Sequence, residues 1–325
     1  MLACISAIPQ HRLRADGRLP WLRDTTGVMG CLESLYQATV WPLLGVSSIA
    51  GPVAPQDELH ELRVVTWNVW FGELEAQKRW QALLEEVLAV KPHVVFLQEV
   101  TQPFLNLLID QAVPGSIGWR MQDSYNLSQT KVDGYDVVTL LDKQVLPRPR
   151  FRTIGIASRQ GRRCLVAEVR GRPPLQLANV HLESMAGNAP TRADQLAVVV
   201  PALRNAAERR GATTILAGDF NFCSSCELEN RNIPDDFRDV WTALRPGDAG
   251  FTEDTDINTM CLFEKQMHKQ VRYDRILLRG TETLSTEGVA AWQPSNIQLM
   301  GTRPVESGLF ASDHFGLVAA FQRKK

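Results

Sequence analysis

Residues 213–222 read TTILAGDFNF, an apolar strand with two polar side chains at its end. Side chains at positions i and i+2 of a strand share one face, so Asp219 and Asn221 can direct a carboxylate and an amide into the same space. The alternative is ordinary turn chemistry, in which Asp or Asn after a strand bonds its own backbone. Comparison with the other predicted strands of the chain distinguishes a simple turn from a functional site.

The same kind of ending recurs along the chain. Six predicted strands carry polar residues at one end: Asn68, Glu99, His181 with Ser184, Asp219 with Asn221, Asp274, and Asp313 with His314. A single ending of this kind indicates a turn. Six of them predict a shared polar cleft at one edge of the sheets.

The hydrophobic pattern predicts a mixed α/β architecture. Strand-like segments lie at 62–67, 94–98, 135–141, 164–169, 175–182, 213–221, 271–278 and 315–321. Helical periodicity predicts helices over 75–90, 101–112 and 191–210. Several strands follow one another with no helix between them, which argues against a purely parallel sheet. We therefore expect two packed sheets with helices outside them.

The composition is that of an ordinary globular protein of 325 residues, with a net charge of −1 and 44% hydrophobic residues. Such a charge does not steer the whole protein toward nucleic acid or membrane. The chain has no apolar run of membrane-spanning length and no recognisable signal peptide, so we expect no stable membrane insertion. The six scattered cysteines favour a reducing compartment, nuclear or cytoplasmic, with organelle targeting by the N-terminal residues left open.

Two segments differ from this regular pattern. Residues 1–59 show little periodicity, and we expect a poorly ordered or loosely docked extension before a catalytic domain over 60–325. The segment 148–163 contains six arginines and no acidic residue. We interpret it as a solvated loop, with a phosphate-binding surface as the alternative.

The donor types in the predicted cleft point to metal-assisted chemistry. Carboxylate and amide oxygens without thiolates suit a hard cation such as Mg²⁺, with Mn²⁺ as a substitute. Glu99 is the candidate metal ligand because an unpaired carboxylate after four apolar residues is costly.

The remaining residues suit proton transfer and charge stabilisation. Asp219 can take a proton from an attacking water or hold that water in line. His314 can donate to a phosphate oxygen, and Asp274 can keep the imidazole oriented and protonated. Asn68 and Asn221 supply neutral groups that orient water and phosphate.

The motifs TWNVWF, FLQEV, NVHLES, AGDFNF, YDRILL and SDHFGL occur in the order typical of the endonuclease/exonuclease/phosphatase superfamily, which the chain resembles over residues 60–325. The resemblance implies a four-layer α/β sandwich of two packed, mainly antiparallel β-sheets flanked by helices. It also implies a metal-dependent phosphodiesterase site at one end, in which Asn68, Glu99, Asp219, Asn221 and His314 match the catalytic pattern.

The same resemblance assigns the remaining strand-end residues. Asp274 and Asp313 match supporting aspartates, and we group Asp313 with Glu99 at the metal. His181 and Ser184 match a pair that contacts the substrate phosphate.

Within the superfamily the chain looks most like the branch that removes tyrosyl adducts from DNA 5′ ends, as judged from TRADQL, DVW and the FTEDTDIN stretch. This likeness implies an Mg²⁺-dependent phosphodiesterase that binds nucleic acid 5′ ends, DNA or RNA, in DNA repair. We expect it to act as a monomer.

Two departures from that branch concern the substrate. Cys223 stands where the branch usually has an arginine, and Glu253 stands where it usually has a tryptophan. We expect Glu253 to repel a substrate phosphate. Two alternatives therefore stay open: the same chemistry on a lipid head group, an inositol phosphate or an RNA tail, and a non-catalytic binding module.

Overall fold

The structure is a computed structural model and describes residues 59–112, 119–123, 131–142, 144–171, 174–280 and 292–323. The extension predicted over residues 1–59 lies outside the described residues, apart from Leu59. The boundary between that extension and a catalytic domain stays a prediction. Within the described ranges, no helix has the length and apolar character needed to cross a bilayer.

The described residues form fourteen strands and six helices. The strands, β1 to β14, are Glu61–Asn68, Val94–Thr101, Trp119–Asp123, Tyr135–Asp142, Arg150–Gly155, Arg163–Val169, Leu175–His181, Thr213–Asp219, Arg238–Asp239, Glu253–Asp254, Gln270–Val271, Asp274–Arg279, Trp292–Met300 and Gly316–Arg323. The helices, α1 to α6, are Ala76–Ala89, Gln102–Ala112, Ala189–Glu208, Glu227–Asn230, Val240–Leu244 and Thr259–Lys265.

Two six-stranded sheets form the centre of the fold. Their strand orders are β13-β14-β1-β2-β4-β3 and β5-β6-β7-β8-β12-β9, and β10 pairs with β11 separately. The pairs β1–β2 and β7–β8 are parallel, and the other neighbouring pairs of the described strands are antiparallel. The expected pair of mainly antiparallel sheets is confirmed.

Three apolar clusters hold the layers together. Inward-facing residues of both sheets, such as Val64 and Leu177, form the cluster between the sheets. The opposite face of the first sheet packs on α1 and α2 through residues such as Leu83 and Phe104. The second sheet packs on α3 through residues such as Val199. This arrangement is the four-layer sandwich expected from the sequence.

The central strands were predicted from the sequence because both of their faces are buried. Val64 faces the other sheet and Val65 faces the helices, so β1 reads as a continuous apolar run. The stripe predicted for α1 is also present, with Trp80 and Leu83 among its buried residues.

The edge strands differ from the prediction. The interpretation of 148–163 as a loop is wrong over Arg150–Gly155, which forms β5 at the edge of the second sheet. Most of its side chains are exposed or half-buried, so the strand has no apolar alternation to detect. β13 is an edge strand as well and contains Pro294, which only an edge position tolerates.

Candidate active site

The topology brings the predicted residues to one end of both sheets. Parallel strands β7 and β8 end at His181 and Asp219, which lie opposite each other in the register. Antiparallel β12 begins at Asp274, which lies opposite Asp219 on its other side. In the first sheet β1 ends at Asn68, and its antiparallel neighbour β14 begins just after His314. The strand-end pattern of the sequence therefore corresponds to one edge of the sandwich.

Asp219, Asp274 and His314 form the centre of this group. One atom of each side chain lies within 4.8 Å of the other two, and all three residues are buried. His314 Nδ1 is 2.8 Å from Asp274 Oδ2. Since this contact is a direct acid–imidazole bond, the cluster supports acid–base chemistry as well as a cation.

Asn68 connects the two sheets at this point. Its Nδ2 donates to Asp219 Oδ2 at 3.0 Å, and its Oδ1 accepts a bond from the backbone N–H of Trp70 at 3.0 Å. The hydroxyl of Ser312 donates to the Asn68 carbonyl at 2.6 Å and accepts from the N–H of His314 at 3.2 Å. Asn68 therefore fixes one Asp219 oxygen and helps to locate the His314 segment.

Positive φ angles at Gly218 and Asn221 determine the path of the backbone on both sides of Asp219. Gly218 has φ +141°, and a Cβ built there would lie 1.8 Å from the Val180 carbonyl oxygen, so only glycine allows β7 and β8 to pair at this position. The backbone of Asn221 lies in the left-handed region, with φ +56°, and its N–H donates to Asp219 Oδ1 at 2.8 Å. Its side-chain Nδ2 donates to the Leu182 carbonyl at 3.1 Å.

The charges of the central residues follow from these contacts. Burial opposes a charged imidazole, but the carboxylates of Asp274 and Asp313 outweigh it and raise the pKa of His314 well above its usual value. Burial raises the pKa of Asp274 to about 6. Near neutral pH the pair is therefore a carboxylate and an imidazolium.

Asp219 is shifted in the opposite direction. Burial alone raises the pKa of a carboxyl group, but the charge of His314 and the hydrogen bonds from Asn68 and Asn221 outweigh burial here. They lower the pKa of Asp219 below its usual value. The site thus holds an ionised carboxylate beside a protonated imidazole.

His181 is neutral. Burial and the neighbouring Arg162 charge lower the pKa of His181 to about 3. Arg162 Nη1 lies 2.7 Å from His181 Nδ1, and a guanidinium can only donate, so Nδ1 accepts and Nε2 carries the proton. That Nε2 is 3.5 Å from Asp219 Oδ2.

Ser184 is tied to this pair through one further residue. Its hydroxyl accepts a bond from Gln160 Nε2 at 2.6 Å, and its N–H donates to Gln160 Oε1 at 2.9 Å. Arg162 also donates to Gln160 Oε1. Ser184 thus belongs to the rim beside His181 and does not contact Asp219 in the described structure.

Glu99 lies in a β-bulge of β2 and has a positive φ of 59°. One of its oxygens accepts a bond from the N–H of Phe71 at 3.2 Å. Burial and the nearby Asp313 carboxylate raise the pKa of Glu99 to about 7. The charge of His314 and the bonds from Phe71 and Asn68 offset these two effects only in part, so a divalent cation at this position would favour the carboxylate form. Bulges near active sites redirect side chains, and this one aims Glu99 at the end of the sheet.

One oxygen of Asp274 provides a second observation on which groups this site can bind. Asp274 Oδ1 is buried and has no hydrogen-bond partner among the residues that the structure describes. Buried acceptors are nearly always paired in proteins, and the Thr252 hydroxyl and a group outside the chain are both suitable partners for this carboxylate. The oxygen donor set and its excess negative charge are consistent with a hard divalent cation.

Asp313 and Glu253 share a lysine. Lys265 Nζ lies 2.9 Å from Asp313 Oδ2 and 3.1 Å from Glu253 Oε1. Lys269 Nζ lies 3.3 Å from the other Glu253 oxygen, Oε2. The expectation that Glu253 repels a substrate phosphate is wrong, because its side chain is only 1% exposed and its charge is compensated by two ammonium groups.

Cys223 is a free, half-buried thiol. Its Sγ lies 3.1 Å from Ser225 Oγ. A thiol at this position cannot make the bidentate phosphate contact of an arginine.

Sequence reasoning missed the residues that support the site from loops and strand edges. Thr252 Oγ1 accepts from the N–H groups of Tyr273 and Asp274, both at 3.0 Å, and the Thr252 carbonyl accepts from Phe315 N–H at 2.6 Å. Thr252 therefore holds the segments that carry Asp274 and His314 together. Its position beside Glu253 in FTEDT was the only available signal.

An aromatic surface beside His181 was also missed. The rings of Phe71 and Tyr135 stack with centroids 4.9 Å apart, and the Arg162 guanidinium lies 5.1 Å from the centre of the Tyr135 ring. Phe71 is 48% exposed, so this surface is open to a ligand.

The comparisons with known proteins agree with this geometry. The model of the endonuclease/exonuclease/phosphatase family matches residues 65–314. Tyrosyl-DNA phosphodiesterase 2 of Gallus gallus is 30% identical over 266 residues, which cover 79% of this chain and 66% of the relative. The enzyme of the same name from Xenopus laevis is 29% identical over 279 residues, covering 85% and 70%. The chain thus spans about two thirds of the length of these relatives.

A solved structure shows the same arrangement of layers. The crystal structure of D. rerio TDP2 complexed with single strand DNA product superposes with a TM-score of 0.67 at 27% identity, covering 81% of this chain and 99% of that one. With the family model matching most of the described residues, the chain belongs to the endonuclease/exonuclease/phosphatase family of phosphoester hydrolases.

Proposed function

We propose that the protein is an Mg²⁺-dependent phosphodiesterase that removes tyrosyl or similar adducts from the 5′ ends of DNA or RNA. The observation that carries the chemistry is the buried group of Asp219, Asp274 and His314, with an ionised carboxylate beside a protonated imidazole. The likeness to tyrosyl-DNA phosphodiesterase 2, and to its structure with a DNA product, supports the substrate.

Asp219 is the base in this proposal. The bonds from Asn68 Nδ2 and the Asn221 N–H occupy one lone pair on each of its oxygens and hold the carboxylate in one orientation. The carboxylate accepts a proton from the attacking water or holds that water in line with the scissile bond. His181 Nε2 lies 3.5 Å from Oδ2, the oxygen that Asn68 binds, and adds a neutral donor without adding charge.

His314 is the electrostatic partner of the base. With Nδ1 bonded to Asp274, its Nε2–H is available for a non-bridging phosphate oxygen. Negative charge grows on that oxygen as water attacks, so a fixed cationic donor stabilises the transition state more than the ground state. The raised pKa of His314 keeps the imidazole protonated during this step.

Glu99 and Asp313 would hold the metal. A bound Mg²⁺ supplies Lewis-acid polarisation of the phosphate and stabilises the leaving oxygen. The Lys265 ammonium contacts one Asp313 oxygen, Oδ2. The Ser312 hydroxyl lies 3.4 Å from the other oxygen, Oδ1. Glu99 would therefore be the principal ligand of the ion, with Asp313 in support.

The cellular setting follows from the same proposal. An enzyme that clears 5′ adducts acts in DNA repair, and we place it in a reducing nuclear or cytoplasmic compartment. The four cysteines in the described part of the chain are all free thiols, which is consistent with that placement. We propose that it works as a monomer.

A substrate panel with purified full-length protein tests the function. The panel contains a 5′-phosphotyrosyl oligonucleotide, the same oligonucleotide with a plain 5′ end, an RNA, sphingomyelin and an inositol phosphate, each with Mg²⁺. We expect the 5′-phosphotyrosyl oligonucleotide to give the highest kcat/KM and Asp219→Asn to lower kcat for its cleavage by about 10²-fold. Faster turnover of sphingomyelin or the inositol phosphate would assign the site to that substrate class instead.

A further inference from the structure

Glu253, Lys265 and Lys269 form a charged cluster beside the site. The Glu253 carboxylate is buried and binds one lysine through each oxygen, at 3.1 Å and 3.3 Å. α6 ends at Lys265, and Lys269 follows four residues later, before β11. One carboxylate thus brings two ammonium groups from one short segment to the same place.

Both lysines keep a donor for a ligand. An ammonium group has three N–H donors. Lys265 contacts Glu253 and Asp313, and Lys269 contacts Glu253 and the Tyr273 side chain, so each lysine engages two of its three donors. Their side chains are 32% and 29% exposed, so the unused donors reach solvent. The three residues of the cluster together carry one formal positive charge, which the Asp313 carboxylate beside Lys265 balances. The lysines therefore offer directed donors and not an excess of charge.

The cluster lies next to the proposed catalytic imidazole. Lys265 contacts Asp313, the residue before His314. Lys269 Nζ is 4.9 Å from the centre of the Tyr273 ring, and that ring is 6.0 Å from the His314 ring. One residue therefore lies between each ammonium group and His314, the residue that we assign to the scissile phosphate. This residue is Asp313 for Lys265 and Tyr273 for Lys269.

Stability alone does not account for this arrangement. Buried ion pairs contribute little net stability because desolvation offsets the attraction between the charges. A buried carboxylate is nevertheless an efficient way to fix flexible lysine side chains, since it restricts both of them at one point. An ordered, partly exposed pair of ammonium groups beside a phosphodiesterase site matches the charge of a substrate phosphate.

We propose that Lys265 and Lys269 form a phosphate subsite for a backbone phosphate of the substrate strand, next to the phosphate that reacts. Glu253 is the positioning residue of this subsite. The subsite rests on the proposed function, because it needs a substrate with more than one phosphate. It accounts for how the chain binds a strand with Cys223 and Glu253 at positions where an arginine and a tryptophan are usual.

Two substrates distinguish a loss of binding at the subsite from a loss of the chemical step. A 5′-phosphotyrosyl oligonucleotide carries neighbouring phosphates, whereas the p-nitrophenyl ester of thymidine 5′-phosphate carries only the reacting one. We expect Lys265→Met and Lys269→Met each to raise KM for the oligonucleotide by about tenfold or more, the loss of one charge-assisted bond. On the small ester, the decrease in kcat/KM of each variant should be at least several-fold smaller than its decrease on the oligonucleotide.

Salt dependence gives a second readout that a merely structural role does not change. Each lysine that binds a phosphate contributes to the slope of log kcat/KM against log salt, by about 0.7 for a single strand. We expect the slope to decrease by about that amount in each Met variant and to be retained in Lys269→Arg. In Glu253→Gln, KM for the oligonucleotide should rise with little change in kcat.

Lys78→Met is the matched control. Lys78 is likewise paired with two carboxylates, Glu75 at 3.2 Å and Glu306 at 3.1 Å, but neither of these belongs to the site. Equal losses on both substrates, or an unchanged salt slope in folded Lys265→Met and Lys269→Met, would overturn the subsite alone. A wild-type enzyme that leaves the 5′-tyrosyl oligonucleotide uncut would overturn the proposed function and the subsite with it.

Discussion

Replacing Asp274 with Asn removes the negative charge that faces His314 and keeps the size of the side chain. In the wild-type protein the two side chains are 2.8 Å apart and are 0% and 7% exposed, so water cannot replace the lost charge. A charge-assisted hydrogen bond contributes about 1.5–3 kcal/mol. The Asn amide can also present a donor to Nδ1, which would hold the imidazole in the wrong tautomer.

The direction of the pH effect follows from the wild-type charges. The imidazolium is stabilised in the folded protein, so it is lost only when the pH rises through the raised pKa of His314. Without Asp274 the same loss occurs at lower pH. At 1.36 kcal/mol per pH unit, the lost bond moves the alkaline limb of the kcat profile down by about one to two pH units. We also expect kcat at its optimum to fall by about 10²-fold.

The assay is kcat for release of a 5′-tyrosyl group from an oligonucleotide at saturating Mg²⁺, measured across the neutral and alkaline range. Asp236→Asn is the control, since Asp236 is also an ion-paired carboxylate, bound to Arg204 and Arg279, but lies outside the site. A folded Asp274→Asn enzyme with the wild-type pH profile and kcat would refute the role assigned to the pair.

Four further predictions concern other parts of the site. Chelation of divalent cations should abolish turnover and Glu99→Gln should raise the Mg²⁺ concentration needed for half-maximal rate; turnover that persists in EDTA contradicts a metal site. Asp219→Asn should lower kcat by about 10²-fold, and a folded variant with a near-normal kcat contradicts its role as base. Gly218→Ala places a Cβ 1.8 Å from the Val180 carbonyl and should cost about 3 kcal/mol of unfolding free energy in denaturant titration; an unchanged midpoint contradicts the strand register. Glu253→Trp places a larger side chain at a site that is only 1% exposed and should destabilise the fold by about 1–3 kcal/mol, whereas an unchanged melting temperature with a lower KM would restore the view that this carboxylate repels substrate.

The sequence predicts the centre of the fold and of the site for the same reason. Central strands such as β1 and β8 are buried on both faces, so their apolar runs are clear. A polar residue that ends such a run, as Asp219 does, is therefore conspicuous. The edge strands β5 and β13 bury only part of one face, and no periodicity marks them.

The residues that the sequence did not reveal act through long side chains or through loops. Arg162 belongs to an arginine-rich segment whose composition predicts a solvated loop. Its side chain is nevertheless buried, and its guanidinium donates to His181 Nδ1. Glu253 reads as an exposed acid, and its two lysine partners lie 12 and 16 residues further along the chain. Pairing of this kind depends on the path of an irregular segment, which composition and periodicity do not specify.

The fold separates the residues to which we assign the chemistry from those to which we assign substrate binding. Asp219 and Asp274 belong to paired central strands, and Asn68 joins those strands to the other sheet, so their geometry is fixed by the cooperative core. Lys265 and Lys269 belong to a short helix and the turn after it, outside both six-stranded sheets. Thr255 and Cys261 of this segment are buried, whereas its exposed and half-buried positions tolerate substitution. Substitutions between residues 253 and 271 should therefore alter KM and the order of substrate preference while the rate-limiting chemistry stays with the strand-end residues. This separation is consistent with our assignment of the acid–base roles to the strand ends and of phosphate binding to Lys265 and Lys269.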